Sequence, residues 1–380
     1  MLHAVDLFAG CGGLSLGFQN AGIDVRVAFE FWETAAHCYE QNFSHPVFRT
    51  DLSNTEEAVK LIKPYSPDLI IGGPPCQDFS HAGKRVEASR ASLTESFAVI
   101  VSAIKPPYFI MENVDRAEKS NAYASARKTF KDAGYGLTEV VLDASLCGVP
   151  QKRKRFFCIG IMNAKDDAVR GVITRRMSSK ETTLRDHFGD TLSVEYYYRH
   201  PRNYSRRGIF SIDEPAPTMR GVNRPVPSGY PGHPNDACPL NSNIRALTTK
   251  ERAMIQTFPD SFVWDGNKTD TEQMIGNAVP VKLAEYVATS LLTYIEETSK
   301  TQVKHDFNSW LLEEQHYSER SARDVLSRCK RAENIMSAAG VPDAYYLFML
   351  ERQPAFQMLS VNVKSQIKRA LKLKEAYIHS

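Results

Sequence analysis

One thiol, three carboxylates and two arginines recur along this chain at spacings that could do chemistry. Cys76 follows Gly72-Gly73-Pro74-Pro75, which in turn follows the apolar run Asp68-Leu69-Ile70-Ile71, a short buried strand by its pattern. Two prolines bar helix at that point, so Cys76 is expected on an extended, stiffened turn at the strand's carboxyl end. A thiol so placed can face a ligand crevice. Taken alone it also reads as a small hydrophobe in a loop. Gly10, Gly12 and Gly13 follow the strand candidate Ala4–Phe8, and Glu30 lies 20 residues after Gly10 at the end of a second candidate, Val25–Phe29. A glycine turn with an acid at the end of strand two can hold a nucleoside through its ribose hydroxyls. The glycines depart from G-x-G-x-x-G, so a purely structural turn stays open. Arg153 and Arg155, two apart, share a face if they lie on a strand.

The elements that must position these groups alternate. Helices are expected over 34–42, 55–63, 92–105 and 122–133. Strands are expected over 48–52, 108–111, 138–142 and 156–161. Such alternation means an α/β fold, a parallel sheet covered by helices. It sets Glu30, Asp51, Glu112 and Cys76 at strand carboxyl ends, the edge where such sheets bind ligands. A helix opens near Thr248, which with Glu251 fits a capping box, and Pro280 suits the first turn of an apolar helix reaching about 296.

Composition narrows the class. Hydrophobic content of 42% and charged content of 24% describe a globular chain, and 380 residues suffice for two or three domains. No apolar run reaches membrane-span length and the amino end lacks a basic-then-apolar pattern, so no membrane association is expected. The seven cysteines are odd in number and form no C-x-x-C pair, against a disulfide framework or metal site and for a reducing cytoplasm. Net charge is only +3, yet residues 151–224 hold 16 Lys/Arg against 8 Asp/Glu. That excess suggests a polyanion partner. From 165 to 243 periodicity fades into Arg, Tyr, Pro and Gly, a composition suited to base-edge and phosphate contacts. Residues 301–380 change character again and read as a separate helical bundle.

Together these blocks resemble the DNA cytosine carbon-5 methyltransferase family over roughly residues 3–296. Asp6-Leu7-Phe8-Ala9-Gly10-Cys11-Gly12-Gly13 resembles its cofactor loop, Pro74-Pro75-Cys76-Gln77 its nucleophile motif and Glu112-Asn113-Val114 its base-gripping motif. Gln151-x-Arg153-x-Arg155, Arg245-x-Leu247-Thr248-x-x-Glu251 and Gly276-Asn277 also match. Ala88 stands where one further motif begins with Asp, though Leu93 still falls at an expected cofactor contact.

The resemblance implies a Rossmann-like S-adenosylmethionine-dependent sheet over 1–164 and 272–298. It adds a small irregular target-recognition domain over 165–271, with the helical module over 301–380 outside it. It implies S-adenosyl-L-methionine as cofactor, held by Phe8, Gly10, Gly12, Gly13, Glu30, Phe31, Asp51, Leu52, Pro74, Leu93, Asn277 and Val279. Catalysis falls to Cys76, Glu112, Arg153 and Arg155. Contacts to double-stranded DNA fall to Gln77, Ser80, Lys84 and Arg85 on a loop closing over a flipped base, and to Thr218, Arg220 and Arg224. A monomeric cytoplasmic enzyme of a prokaryote is implied, with a cognate restriction endonuclease as functional partner. Three other readings stay open on the sequence: an RNA-directed relative, a dinucleotide oxidoreductase and a non-enzymatic DNA-binding regulator. The run from Ser318 to Arg328 resembles the helical core-binding domains of tyrosine recombinases, implying an auxiliary DNA- or partner-binding module.

Overall fold

Strand β1 (His3–Leu7) is buried at every residue from Ala4 to Leu7, as a strand covered on both faces must be. Around it lie β2 (Asp24–Glu30), β3 (Val47–Arg49), β4 (Leu69–Gly72), β5 (Tyr108–Val114), β6 (Tyr135–Asp143), β7 (Gln151–Lys152) and β8 (Lys154–Met162). The computed structural model describes residues 1–75, 92–189, 191–302, 306–336 and 346–378. They divide into two compact units, Met1–Tyr294 and Ile295–Ser380.

The first unit is built on a seven-stranded sheet of order β3-β2-β1-β4-β5-β8-β6. From β3 to β5 all pairings are parallel, whereas β8 runs antiparallel to both β5 and β6. The sheet is mostly parallel, as the alternation implies, and reverses only at β8. The physical reason is connection length. The short link from β6 to β8 carries no crossover helix, so the chain can only turn back on itself.

Helices α1 (Gly13–Asn20), α2 (Glu33–Glu40), α3 (Thr55–Ile62), α4 (Leu93–Ile104) and α5 (Asn121–Asp132) provide the crossovers. Their apolar faces meet the sheet in a core that includes Phe29, Phe97, Phe109, Phe130 and Phe156. Ser92 and Glu95 form a full capping box that fixes where α4 starts.

Two boundaries move relative to the sequence reading. β3 stops at Arg49, because the Asp51 carboxylate accepts the Ser53 amide (2.9 Å) and turns the chain. β5 instead runs on through Glu112 to Val114, since β8 pairs with it as far as Arg155.

Beyond β8 the chain holds α6 (Arg170–Arg176), α7 (Leu184–Phe188), the short strands β9 (Tyr196–Tyr198), β10 (Ile209–Ser211) and β11 (Ala216–Pro217), and long irregular stretches. A small core of Leu184, Tyr197, Phe210, Ile212, Met219 and Leu247 supports them. The chain then forms α8 (Thr249–Ile255), capped by Thr248 and Glu251, α9 (Lys268–Asn277) and α10 (Val281–Gln302).

The second unit comprises α11 (Phe307–Glu313), α12 (Glu319–Met336), α13 (Tyr346–Leu350), α14 (Pro354–Gln357) and α15 (Val361–Ile378) around its own core of Trp310, Leu311, Val325, Leu350, Phe356 and Ile367. Among the described residues no helix is long and apolar enough to cross a membrane.

Candidate active site

At the carboxyl end of β1 the chain breaks sharply. Phe8 has φ 59°, Gly10 57° and Gly12 96°, so the loop turns through left-handed backbone before α1. The left-handed Phe8 carries strain that nothing in its residue type announces. The loop is held from below by Glu30, whose carboxylate accepts the Gly10 amide (2.7 Å) and the Trp32 amide (2.6 Å). Phe31, next to it, is 72% exposed, its ring open at the sheet edge. Asp51 is exposed just past β3, with Leu52 buried behind it.

The loop also has a roof. A Cβ on Gly13 would lie 2.4 Å from the Val279 carbonyl oxygen, so only glycine lets the segment joining α9 to α10 pass this close. Sequence positions 13 and 279 are thereby brought into contact. Asn277 is exposed at the end of α9, its side-chain oxygen accepting from Gln273 (2.8 Å). Leu93 opens α4, half-buried.

Asp6, beneath the loop, is fully buried and accepts the Ser15 hydroxyl (2.6 Å), and Ser15 in turn accepts Tyr39 (2.7 Å). Burial pushes the Asp6 carboxyl up to about 7, against the pull of the Ser15 hydrogen bond.

The second cluster sits where β4 meets β5. Described chain reaches Pro75 and resumes at Ser92, so Cys76, Gln77, Ser80, Lys84, Arg85 and Ala88 lie outside the described residues. Pro74 is buried, and its carbonyl accepts the Asn113 side-chain amide (3.0 Å). A Cβ on Gly73 would stand 3.0 Å from Glu112 Oε2. The Glu112 carboxyl thus lies directly against the Gly-Pro-Pro stretch that leads to Cys76.

Arg155 Nε binds the other oxygen, Oε1 (2.8 Å), with both side chains largely buried. Burial raises the Glu112 carboxyl above its ordinary value even though Arg155 and Arg153 pull it down, and burial lowers Arg155. Desolvation outweighs attraction here, which favours a carboxyl able to hold a proton.

Arg153, which the sequence pairs with Arg155 on one face, falls at the break between β7 and β8. It is 1% exposed, and its guanidinium donates to three backbone carbonyls: Met219 (3.0 Å), Gly276 (2.8 Å) and Ala278 (3.0 Å). Gln151 extends the same tie, accepting the Met219 amide (2.9 Å) and donating to Gln256 (2.7 Å). The Gln-x-Arg pair therefore knots the irregular region to the segment roofing the glycine loop.

Thr218 and Arg220 flank Met219. They line a cleft of about 450 Å³ together with Arg199, Arg202, Arg206 and Arg207; among the described residues no carboxylate lines it, though Arg207 is paired with Glu214 behind it. Thr218 donates its hydroxyl to the Lys152 carbonyl (2.8 Å), and Arg220 reaches the His200 carbonyl. Arg224 is exposed and lines an adjoining hollow with His200, Arg202 and Arg220. Burial, then Arg220 and other cations, lowers Arg199 to about 10. The sequence reading singles out Thr218, Arg220 and Arg224 but not Arg199, Arg202, Arg206 or Arg207. The signal for them was present in the run Arg199–Arg207, where four arginines and a tyrosine share nine positions.

The arrangement combines a glycine loop, an acid at the end of β2, an open aromatic ring and an acid past β3, the set of groups that holds a nucleoside. Beside it lies a buried carboxyl backed by an arginine.

Comparison with known proteins agrees. The family model for C-5 cytosine-specific DNA methylase matches residues 2–293. Type II methyltransferase M.HindV of Haemophilus influenzae is 55% identical over 298 residues, covering 78% of this chain and 98% of that protein. Type II methyltransferase M.HgiDI of Herpetosiphon aurantiacus is 54% identical over 303 residues, covering 80% and 98%. A crystal structure of a putative DNA modification methyltransferase from an E. coli prophage covers 78% of this chain and 100% of its own, with TM-score 0.57 and 24% identity.

Proposed function

Because the chain belongs to the C-5 cytosine-specific DNA methylase family, we propose that Cys76, Glu112 and Arg155 carry its reaction and that Arg153 positions them. The reaction itself is that of the family: methylation of carbon 5 of a cytosine in DNA, through a cysteine adduct on a base turned out of the duplex. S-adenosylmethionine is the methyl source used by this family and fold.

Carbon 5 of cytosine is a poor nucleophile. The Cys76 thiolate adds to carbon 6, breaking the aromatic ring and making carbon 5 an enamine carbon. Charge moves toward N3, where Glu112 donates its proton through Oε2, the oxygen Arg155 leaves available. Arg155 meets the base carbonyl and keeps the carboxyl aimed. Carbon 5 takes the methyl as its bond to sulfur breaks, a base removes the carbon-5 proton, the ring expels the thiolate, and N3 returns its proton to Glu112.

Glu30, Phe31 and Asp51 fit S-adenosylmethionine by chemistry: Glu30 would accept ribose hydroxyls, Phe31 would offer its ring to adenine and Asp51 would accept the adenine amino group. Phe8, Gly10, Gly12, Gly13, Leu52, Pro74, Leu93, Asn277 and Val279 complete that pocket. The bound group supplies an electrophilic sulfonium methyl; the chain's own residues hold it and exclude water.

Residues 165–271 form the target-recognition region and 1–164 with 272–298 the catalytic one. Gln77, Ser80, Lys84, Arg85, Thr218, Arg220 and Arg224 contact DNA, joined by the cleft arginines. A cognate restriction endonuclease is its functional partner, as the Type II names of its relatives suggest, and the protein works as a cytoplasmic monomer.

The observation carrying the residue roles is the Glu112 carboxyl, buried against Gly73 and held by Arg155. The test is transfer of tritiated methyl from S-adenosylmethionine to duplex DNA and to RNA, with digestion to nucleosides. The expected product is 5-methylcytosine in DNA alone. Equal labelling of RNA, or methyl on an exocyclic nitrogen, would contradict it.

A further inference from the structure

The family model ends at residue 293, and the second unit lies wholly beyond it. Its chemistry is therefore not needed for methyl transfer as the relatives perform it. Helix α12 packs one stripe into that unit's core, with Ala322, Val325, Cys329 and Met336 buried. At 100° per residue the opposite stripe carries two basic rows. Arg320 and Arg331 stand about 20° apart on one row, and Arg323 and Lys330 about 20° apart on the other. Exposed Ser327 lies between the rows, and all four cations are exposed.

No described carboxylate pairs with any of the four. Asp324, about 20° around the helix from Arg331, pairs with Arg328 (3.9 Å). Exposed Glu319, about 20° from Lys330, accepts Arg323 through its backbone carbonyl (3.3 Å). Glu333, on another face, is taken by Lys374. Two cationic rows along a helix about 16 Å from Arg320 to Arg331 match the two phosphate strands that border a groove able to admit a helix.

We propose that the outer face of α12 docks into a groove of the duplex the enzyme methylates, giving the protein a second DNA contact outside its catalytic unit. This rests on the reading of DNA as substrate. A second contact on one chain raises overall affinity through local concentration, without touching the chemistry.

The test uses the full chain with R320Q/R323Q/K330Q/R331Q, its helix content checked by circular dichroism. Binding of a fluorescent mixed-sequence duplex is measured by anisotropy across a salt series. Each lost phosphate contact should reduce the slope of log affinity against log salt by about 0.9, so the four together reduce it by roughly 3 to 4. Affinity near 0.1 M salt should fall at least 10-fold, with the methylation rate at saturating DNA unchanged. A second variant, R320K/R323K/R331K, keeps the charges and should keep affinity and slope. Unchanged binding and slope in the glutamine variant overturn the proposal, even if that variant instead loses a protein partner. A wild-type protein that neither binds nor methylates duplex DNA would overturn the reading of the substrate rather than this surface.

Discussion

The sheet edge and the arginine cleft treat charge in opposite ways. At the sheet edge each charged group is committed: Glu30 to two amides, Glu112 to Arg155, Arg153 to three carbonyls. In the cleft Arg199, Arg202 and Arg220 crowd one another with no lining carboxylate among the described residues, and burial plus neighbouring cations lowers both Arg199 and Arg220. Committed charge is preorganised for reacting atoms, while crowded like charge, even where Arg199 and Arg220 each reach a backbone carbonyl, still favours an incoming anion. The two regions should therefore fail differently when altered.

The largest effect belongs to the sheet edge. Glu112→Ala should lower kcat about 100- to 1,000-fold with duplex affinity almost intact. With Glu112 acting protonated, as proposed, and burial raising its value, the rate should fall as pH rises through that raised value. Glu112→Gln, which has no proton to lose, should abolish this descending limb. A kcat–pH profile of the two proteins checks it. A limb that survives in the Gln variant would assign the proton to another group.

Next is Arg153, which joins the two regions. Arg153→Ala strands three carbonyls and should cost about 3 kcal/mol or more, seen as a lower thermal midpoint. It should weaken DNA binding and methyl transfer together. Arg153→Lys, lacking the planar fork, should recover only part. Loss of kcat with an unchanged midpoint would make Arg153 a catalytic residue rather than a positioning one.

The cleft gives a smaller, salt-dependent effect. Arg202→Gln with Arg206→Gln should reduce the salt slope of duplex binding by about 2 and leave kcat at saturating DNA near wild type. If kcat falls instead, the division between committed and waiting charge breaks down. The smallest effect is at Phe31. With its ring 72% exposed, Phe31→Ala should leave stability unchanged and weaken S-adenosylmethionine roughly 3- to 10-fold by calorimetry.

The same contrast explains what the sequence discloses. Groups tied to a strand end leave a fixed signature, so the glycine turn, Glu30 and the chain's α/β order were legible from spacing. Spacing also set Glu112 at a strand end, while the family resemblance supplied its role and the returning segment. What spacing could not disclose is contact across the chain: the meeting of Gly13 with Val279, or Arg153 donating to Met219 and Gly276. Nor did it disclose the reversal at β8, which depends on how the β6–β8 link closes. The cleft arginines escaped because irregular chain has no period to mark which residues share a surface. Arg202 and Arg220 meet only through the short strands and turns between them.

The central claim is that Cys76 bonds covalently to cytosine carbon 6. Duplex DNA made with 5-fluorocytosine in place of cytosine tests it, because fluorine leaves no proton for the base to remove after methyl transfer. With S-adenosylmethionine, the wild-type chain should form a complex that survives denaturing electrophoresis, and Cys76→Ala should form none. No adduct with the wild-type chain, or an adduct that persists in Cys76→Ala, would contradict the account.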